Sequence, residues 1–205
     1  MSKVYIEKLS FFNQDIDLNN IEEQDFLSYV LNSNLVCEVG ERYLYNNAET
    51  FLLSVVFQEL ANQNLGDFLL DNVLRKINAS ELMWELYYKY FPGATGVKTL
   101  HKDLFNIGML ILNKGRWGKE QIVSEKFIEE MCSVQLETPY AVKEDRVLVK
   151  NAVGYVFNIS RDGYIFKDGV NGQYLIINLE KKQVISILSD EKEQTKVLEI
   201  LRGII

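Results

Sequence analysis

The feature that most limits how this chain can fold is a change of sequence pattern after Pro139. Up to that point apolar residues recur mostly at helical spacing, whereas short β-type runs follow it. The runs occupy residues 154–160, 164–167, 174–179 and 183–188. The segments between them contain Gly, Asp, Asn and Lys, which are common turn residues. This spacing predicts an antiparallel meander, and Asp190 to Leu201 is predicted to form a helix that covers it.

Helices are predicted for most of the chain before Pro139, because the apolar residues there lie on one side of each helical stretch. The predicted helices span residues 21–31, 49–63, 68–77, 80–90, 99–111 and 124–132. Residues 4–12 are predicted to form a strand. The expected fold class is therefore α+β, with one domain over residues 1–205. Its expected parts are a strand and helix in 1–44, a helical lobe in 45–140, and an antiparallel sheet plus C-terminal helix in 150–205.

Charge and hydropathy exclude two classes of partner. The net charge is −7 over 205 residues, and a protein that binds nucleic-acid phosphates needs an excess of basic charge. Nucleic acid is therefore not an expected partner. The sequence has neither a signal peptide nor the roughly 20 consecutive apolar residues of a membrane span. We predict a soluble, cytoplasmic protein.

The cysteines and the histidine give no indication of a metal centre. Cys37 and Cys132 are too far apart in the sequence for a metal-binding pair and are predicted to be buried thiols. His101 is the single histidine, which excludes a site built from several histidines. No metal and no cofactor are expected.

Residues 40–49 combine a turn with a polar Tyr-x-Asn cluster directly before a long apolar helix pattern. In extended or turn backbone, Tyr45 and Asn47 point the same way, so a phenol and an amide are presented together. Two interpretations are open for Asn47. It is part of a functional pair, or it is the N-cap residue of the following helix.

Several stretches, taken in their order, resemble the serine β-lactamase and penicillin-binding-protein superfamily, in particular the class C β-lactamase and esterase-like branch. The similar stretches lie within residues 35–205 and comprise residues 40–47, Leu52-Leu53, 96–104, 113–118, Gly154-Tyr155 and 167–173. The resemblance implies a β-lactamase/transpeptidase-like fold that is incomplete at the N-terminus. It also implies which residues form the site.

In that superfamily a Tyr-x-Asn loop supplies a phenol for proton transfer and an amide for the substrate, and Tyr45 and Asn47 match it. A Lys-Thr-Gly or His-x-Gly triplet binds the substrate carboxylate, and Lys167 and Gly169 match it with Asp168 in the middle position. The resemblance thus makes Tyr45, Asn47 and Lys167 candidate catalytic residues. The candidate substrate-binding residues are these three together with Asp168 and Gly169. The Asp168 carboxylate would repel an anionic substrate.

The superfamily nucleophile comes from a Ser-x-x-Lys motif upstream of Tyr-x-Asn, and residues 1–44 contain no such motif. The one literal match in the chain is Ser189 to Lys192, which corresponds to no catalytic element. Without an activated serine the acylation step has no nucleophile. We therefore predict a catalytically inactive remnant with a binding or regulatory role. The alternative is a serine hydrolase of the β-lactamase, D-Ala-D-Ala peptidase or esterase type, whose nucleophile comes from another chain or from an unrecognised residue.

The expected ligand is small and anionic or peptide-like. A second copy or a partner chain is expected to cover the missing N-terminal part, unless residues 4–12 replace the missing strand.

Structural interpretations stay open for each candidate. Tyr45 could be a buried residue of the fold, Lys167 an edge-strand lysine that prevents aggregation, and Asp168 a partner of Lys167 or a turn cap. His101 is expected to be a half-exposed polar residue. The aromatic residues Trp84, Tyr87, Tyr88 and Tyr90 line a pocket or belong to the core.

Overall fold

The computed structural model describes residues 26–32, 41, 43, 45, 47–79, 82–84, 86, 89–94, 96–138 and 148–205. The strand predicted for residues 4–12, the start of the helix predicted at Ile21, and Cys37 lie outside these residues. The chain forms two compact units, one within residues 1–71 and 82–98 and the other within residues 72–81 and 99–205.

Helices make up more than half of the described residues of the first unit. Helix α1 spans Phe26–Leu31, α2 spans Ala48–Ala61 and α3 spans Leu65–Leu69. Helix α2 ends because Asn62 adopts the left-handed conformation, which asparagine tolerates better than most residues. Helix α3 begins where the Asn64 side chain accepts a hydrogen bond from the Asp67 N–H at 2.7 Å. The helical turns continue along the chain as Leu70–Leu74, which runs from the first unit into the second, and as Arg75–Ile77, which belongs to the second unit.

The predicted helix over residues 80–90 is wrong, because Leu82–Trp84 forms a strand, β1. It pairs with β2, Val97–Thr99. A short apolar run is compatible with either structure, and only a pairing partner distant in sequence decides between them. Trp84 packs against the Phe91 ring, with the ring centroids 5.3 Å apart.

Helices α1 and α2 share one apolar core in the first unit, formed by Phe26, Val30, Ala48, Phe51, Val55 and Tyr90. Tyr90 meets Phe51 edge-on, with ring centroids 6.5 Å apart. The buried side chain of Ser54 donates to the Phe91 carbonyl at 2.5 Å, and Gln58 donates to Ser54 Oγ at 3.0 Å. These hydrogen bonds fix the segment after Tyr90 against α2.

The second unit contains a six-stranded antiparallel sheet. Its strands are β5 Leu136–Glu137, β6 Ala152–Val153, β7 Asn158–Ile159, β8 Ile165–Gly169, β9 Gln173–Asn178 and β10 Gln183–Ile187, in the spatial order β10-β9-β8-β7-β6-β5. A separate hairpin pairs β3, Arg116–Trp117, with β4, Glu120–Gln121. The helices are α4 His101–Leu112, α5 Glu125–Cys132 and α6 Gln194–Arg202.

The predicted meander is confirmed for β8, β9 and β10, which pair in sequence order. Within the strand predicted over residues 154–160 only Asn158–Ile159 is a strand, because residues 154–157 form a tight turn in which the Gly154 N–H donates to the Phe157 carbonyl at 2.9 Å. Strands β6 and β7 lie on either side of this turn.

The sheet carries an apolar core on each face. One face, here called the α4 face, packs on α4 and α5 through Ile111, Ile128, Met131, Phe157, Ile165, Leu175 and Ile177. The other, the α6 face, packs on α6 through Leu148, Tyr164, Phe166, Tyr174, Ile176, Val197 and Leu201. Helices and an antiparallel sheet occupy separate parts of the chain, so the α+β prediction is confirmed.

Candidate functional site

Tyr45 and Asn47 are in direct contact in the first unit. The Tyr45 hydroxyl donates to Asn47 Oδ1 at 3.1 Å. Half of the Tyr45 surface is exposed, whereas Asn47 is buried. The phenol therefore reaches solvent, while the amide that accepts its hydrogen bond is held inside the unit.

Asn47 occupies the N-cap position of α2, but its side chain makes no capping hydrogen bond. Its backbone carbonyl accepts from the Phe51 N–H at 3.0 Å, and its side-chain oxygen is used by Tyr45. Asn47 is thus the N-cap residue of α2 by position, as one of the two interpretations expected, although its side chain does not cap the helix. The interpretation of Tyr45 as a buried residue is wrong. Asn47 is at −90° φ and −17° ψ, already helical, whereas a capping residue is usually extended.

Lys167 lies in β8 of the second unit, on the α4 face. Its cross-strand partner is Leu175, and Ile165, two residues earlier, belongs to the α4-face core. Lys167 Nζ donates to the Val156 carbonyl at 2.7 Å. Burial lowers the pKa of Lys167 below its usual 10.5, the adjacent Asp168 carboxylate opposes that shift, and the Lys150 charge adds to it.

Asp168 points to the opposite face of the sheet, because side chains alternate along a strand. Its carboxylate forms an ion pair with Lys150, with Nζ and Oδ2 2.8 Å apart, and accepts from Asn158 Nδ2 at 3.0 Å. Asp168 thus pairs with neither Lys167 nor a turn N–H, contrary to both expectations. Gly169 ends the strand opposite Gln173. Lys150 and Asn158 were missed, because no local sequence signal indicates which strands are neighbours.

His101 is the first residue of α4 and is hydrogen-bonded to strand β10. Its Nε2 lies 2.8 Å from the Ser186 carbonyl oxygen and 2.9 Å from Ser186 Oγ. A carbonyl oxygen can only accept, so Nε2 carries the proton in this geometry. His101 is exposed, as expected, but it has a structural role that the sequence did not indicate. It links the start of α4 to β10.

Several other predictions concern residues outside the Tyr45–Asn47 pair and the surroundings of Lys167. Cys132 is half-buried rather than buried as predicted, and the burial that it has raises the pKa of the thiol to about 11, so little of the reactive thiolate forms near neutral pH. Tyr90 belongs to the core, whereas Tyr87 and Tyr88 lie outside the described residues. Ser189 Oγ accepts from the Glu191 N–H at 2.9 Å. Within the described ranges, no cluster of three His, Cys, Asp or Glu side chains could hold a metal ion.

We expect Lys150→Ala to lower the free energy of unfolding by about 1–2 kcal/mol, since it leaves the mostly buried Asp168 carboxylate without its ion-pair partner. A double-mutant cycle with Asp168→Asn, measured by urea unfolding, should give a coupling of about 1 kcal/mol. The matched cycle of Lys167→Ala with Asp168→Asn should give less than about half of that. Equal couplings would contradict the assignment of Lys150 as the partner of Asp168.

Comparison with protein-family models and with curated protein sequences gave no match. Many solved structures resemble the chain, among them the following three. A candidate 6-aminohexanoate-dimer hydrolase from Bacillus anthracis is 18% identical with a TM-score of 0.76, over 97% of this chain and 52% of its own. A penicillin-binding protein from Bacillus halodurans is 13% identical with a TM-score of 0.69, over 91% and 64%. A β-lactamase from Mycobacterium bovis is 16% identical with a TM-score of 0.66, over 83% and 65%.

The chain therefore has the fold of the serine β-lactamase and penicillin-binding-protein-like hydrolases, as the sequence motifs predicted. It spans about half the length of the Bacillus anthracis protein and just under two thirds of the other two. No helix among the described residues combines the length and the apolar character that crossing a bilayer requires. The roles of Tyr45, Asn47, Lys167, Asp168 and Gly169 in binding or catalysis stay predictions.

Proposed function

We propose that this chain is a catalytically inactive β-lactamase/penicillin-binding-protein-like protein that binds a ligand or regulates a partner. The observation that carries the proposal is how the retained polar groups are used. The Tyr45 hydroxyl donates to its own neighbour Asn47, and Lys167 Nζ donates to the Val156 carbonyl. The groups that the superfamily uses for proton transfer and carboxylate binding thus hold internal hydrogen bonds.

The sequence supports the same proposal. The 205 residues contain one Ser-x-x-Lys, and its serine accepts a hydrogen bond from the Glu191 N–H just before α6. This position matches no catalytic element of the superfamily, so we assign Ser189 no role as an activated nucleophile. Reversible binding needs no such nucleophile.

The proposed ligand is small and anionic or peptide-like. Lys167 in the second unit offers an ammonium with donors beyond the one that Val156 accepts. The Asp168 charge is offset by its ion pair with Lys150. The repulsion of an anion that Asp168 would otherwise cause is therefore reduced.

We expect no turnover of a chromogenic cephalosporin or of a p-nitrophenyl ester above the buffer rate, and no covalent adduct with benzylpenicillin in the intact mass. D-alanyl-D-alanine and benzylpenicillin should instead raise the melting temperature reversibly by a few degrees. The shift should be lost in Lys167→Met, which removes the charge and keeps the length of the side chain.

Turnover or an adduct that is present in the wild type and lost in Tyr45→Phe would contradict the proposal. Tyr155→Phe is the matched control. Tyr155 is exposed to the same extent and also donates its hydroxyl to a neighbour, Glu130 at 3.2 Å. A loss in Tyr45→Phe alone would assign the activity to the Tyr-x-Asn pair.

The second candidate function is a serine hydrolase whose nucleophile comes from another chain or from an unrecognised residue. The lowered pKa of Lys167 favours it, because a larger fraction of this amine is then unprotonated near neutral pH and available to accept a proton. In that case the cephalosporin or ester assays should show turnover that Lys167→Met abolishes.

A further inference from the structure

Residues 170–172 form the turn that joins β8 to β9 in the second unit. The turn contains Asn171-Gly172, the single Asn-Gly pair in the 205 residues. The amide of an asparagine that precedes glycine is open to attack by the backbone nitrogen that follows it, because glycine has no Cβ to shield that nitrogen. The turn therefore carries a reactive group that the proposed function does not use.

The fold limits which residues can replace this pair. Asn171 has a φ of +62° and Gly172 a φ of +77°, the left-handed conformation that asparagine tolerates and glycine adopts freely. A Cβ at Gly172 would lie 2.7 Å from Val197 Cγ2, and Val197 is a buried residue of α6. A side chain at position 172 would therefore strain the turn and displace α6 from the sheet.

The Asn171 amide is held by Asp190 in the folded chain. Asn171 Nδ2 donates to Asp190 Oδ1 at 2.7 Å, and Gly172, whose nitrogen would attack, is buried. Asp190 belongs to the segment that leads into α6, in which the Glu191 N–H donates to Ser189 Oγ at 2.9 Å. The hydrogen bond restricts the rotation that brings the amide carbon onto the Gly172 nitrogen, and burial limits the access of water to that N–H.

We propose that Asn171 is a modification site that deamidates when its contact with Asp190 opens, and that the product weakens the attachment of α6 to the sheet. The Gly172 nitrogen gives its proton to water and attacks Asn171 Cγ. The Cγ–Nδ2 bond then breaks, and Nδ2 takes a proton from water and leaves as ammonia. The succinimide ring adds one water molecule and opens to aspartate or isoaspartate. The proposal is independent of whether the chain binds a ligand.

Both products put a carboxylate into the turn where the amide was. The hydrogen bond to Asp190 is then replaced by two negative charges, neither of which can donate to the other. Isoaspartate also lengthens the backbone of the turn by one carbon. Gly172 packs against Val197, which with Leu201 anchors α6 in the α6-face core. Deamidation therefore loosens α6 where it meets this turn.

Peptide mapping by mass spectrometry of the full chain, kept for weeks at physiological temperature and pH, tests the site. The protein is digested at mildly acidic pH, where deamidation is slow. We expect the peptide with Asn171 to gain the mass difference between a hydroxyl and an amino group. The chain unfolded in guanidinium chloride should react at least about tenfold faster than the folded chain. Asn171→Gly removes the amide without strain at a left-handed φ, so its peptide should keep its mass.

Asp190→Ala should speed the reaction of the folded chain about fivefold, because the amide loses the acceptor that holds it. Asp190→Asn should react at the wild-type rate, since the new side-chain oxygen accepts the same hydrogen bond. Asp162→Ala is the matched control and should also react at the wild-type rate. It removes an exposed aspartate from the turn between β7 and β8, at the other end of β8. Circular dichroism and melting temperature establish that each variant is folded.

Asn171→Asp represents the aspartate product and measures its effect on α6. It should speed hydrogen exchange of the α6 backbone amides at least about threefold and leave exchange in the middle of β9 unchanged. Asn171→Gly loses the same hydrogen bond without adding a charge and should speed exchange in α6 less. Equal deamidation rates in the folded and unfolded wild type, a rate in Asp190→Ala no faster than in the wild type, or unchanged α6 exchange in Asn171→Asp would overturn the proposal.

Discussion

Replacing Gly115 by alanine is expected to lower the free energy of unfolding by about 4 kcal/mol, which is large for a single methyl group. Gly115 has a φ of +79°, a left-handed conformation that an alanine adopts only with strain. The added Cβ would lie 2.0 Å from the Val123 carbonyl oxygen and 2.8 Å from its carbonyl carbon. Strain and a backbone clash therefore act together.

The clash cannot be relieved by a small shift, because the surrounding backbone is held by hydrogen bonds. The Gly115 N–H donates to the Leu110 carbonyl at 2.8 Å, and the Gly115 carbonyl accepts from Ile122 at 2.9 Å and Val123 at 3.1 Å. The Val123 oxygen itself accepts from Gln121 Nε2 at 2.7 Å. Moving any of these groups breaks bonds that join the end of α4 to the β3–β4 hairpin.

Gly118→Ala separates the two contributions. Gly118 also has a left-handed φ, +58°, but nothing lies within 4 Å of the position of an added Cβ. We expect Gly118→Ala to lower the free energy of unfolding by about 1 kcal/mol, which is the cost of the left-handed conformation without a clash. Urea unfolding of both variants gives the difference. Similar losses in the two variants would contradict the clash with Val123.

The sequence predicted the fold best where local signals decide the structure. Turns such as Gly169 to Gly172 separate β8 from β9, and the predicted runs overlap the observed strands. It failed at residues 154–157, because the turn there depends on a distant contact. A Cβ at Gly154 would lie 2.0 Å from the Met131 carbonyl oxygen, and nothing near Gly154 in the sequence reports that approach.

In the candidate site, too, contacts between sequence neighbours could be predicted, whereas contacts between distant residues could not. Tyr45 and Asn47 are two residues apart, so the sequence alone could place the phenol beside the amide, and the two side chains are hydrogen-bonded. The Lys150–Asp168 ion pair joins residues in a loop and a strand whose proximity follows from the order of the sheet. Local reasoning placed Asp168 beside Lys167 because it ignored the alternation of faces along β8.

Ile177→Ala is expected to lower the free energy of unfolding by about 3–4 kcal/mol. Ile177 is fully buried, and β9 lies in the interior of the sheet with β8 on one side and β10 on the other. Its cross-strand partners are Ile165 in β8 and Val184 in β10. Because all three strands and α4 meet here, the cavity left by the lost carbons is enclosed on every side and cannot close by a local shift.

Ile200→Ala is the matched control, since it makes the same substitution at an exposed position of α6. It should change the free energy of unfolding by less than about 0.5 kcal/mol. Ile177→Val should lose about 1 kcal/mol, because it removes one carbon rather than three. A loss of less than about 1.5 kcal/mol in Ile177→Ala would mean that the α4 face repacks freely. Lys167, which projects from this face, would then have no fixed position from which to bind a ligand.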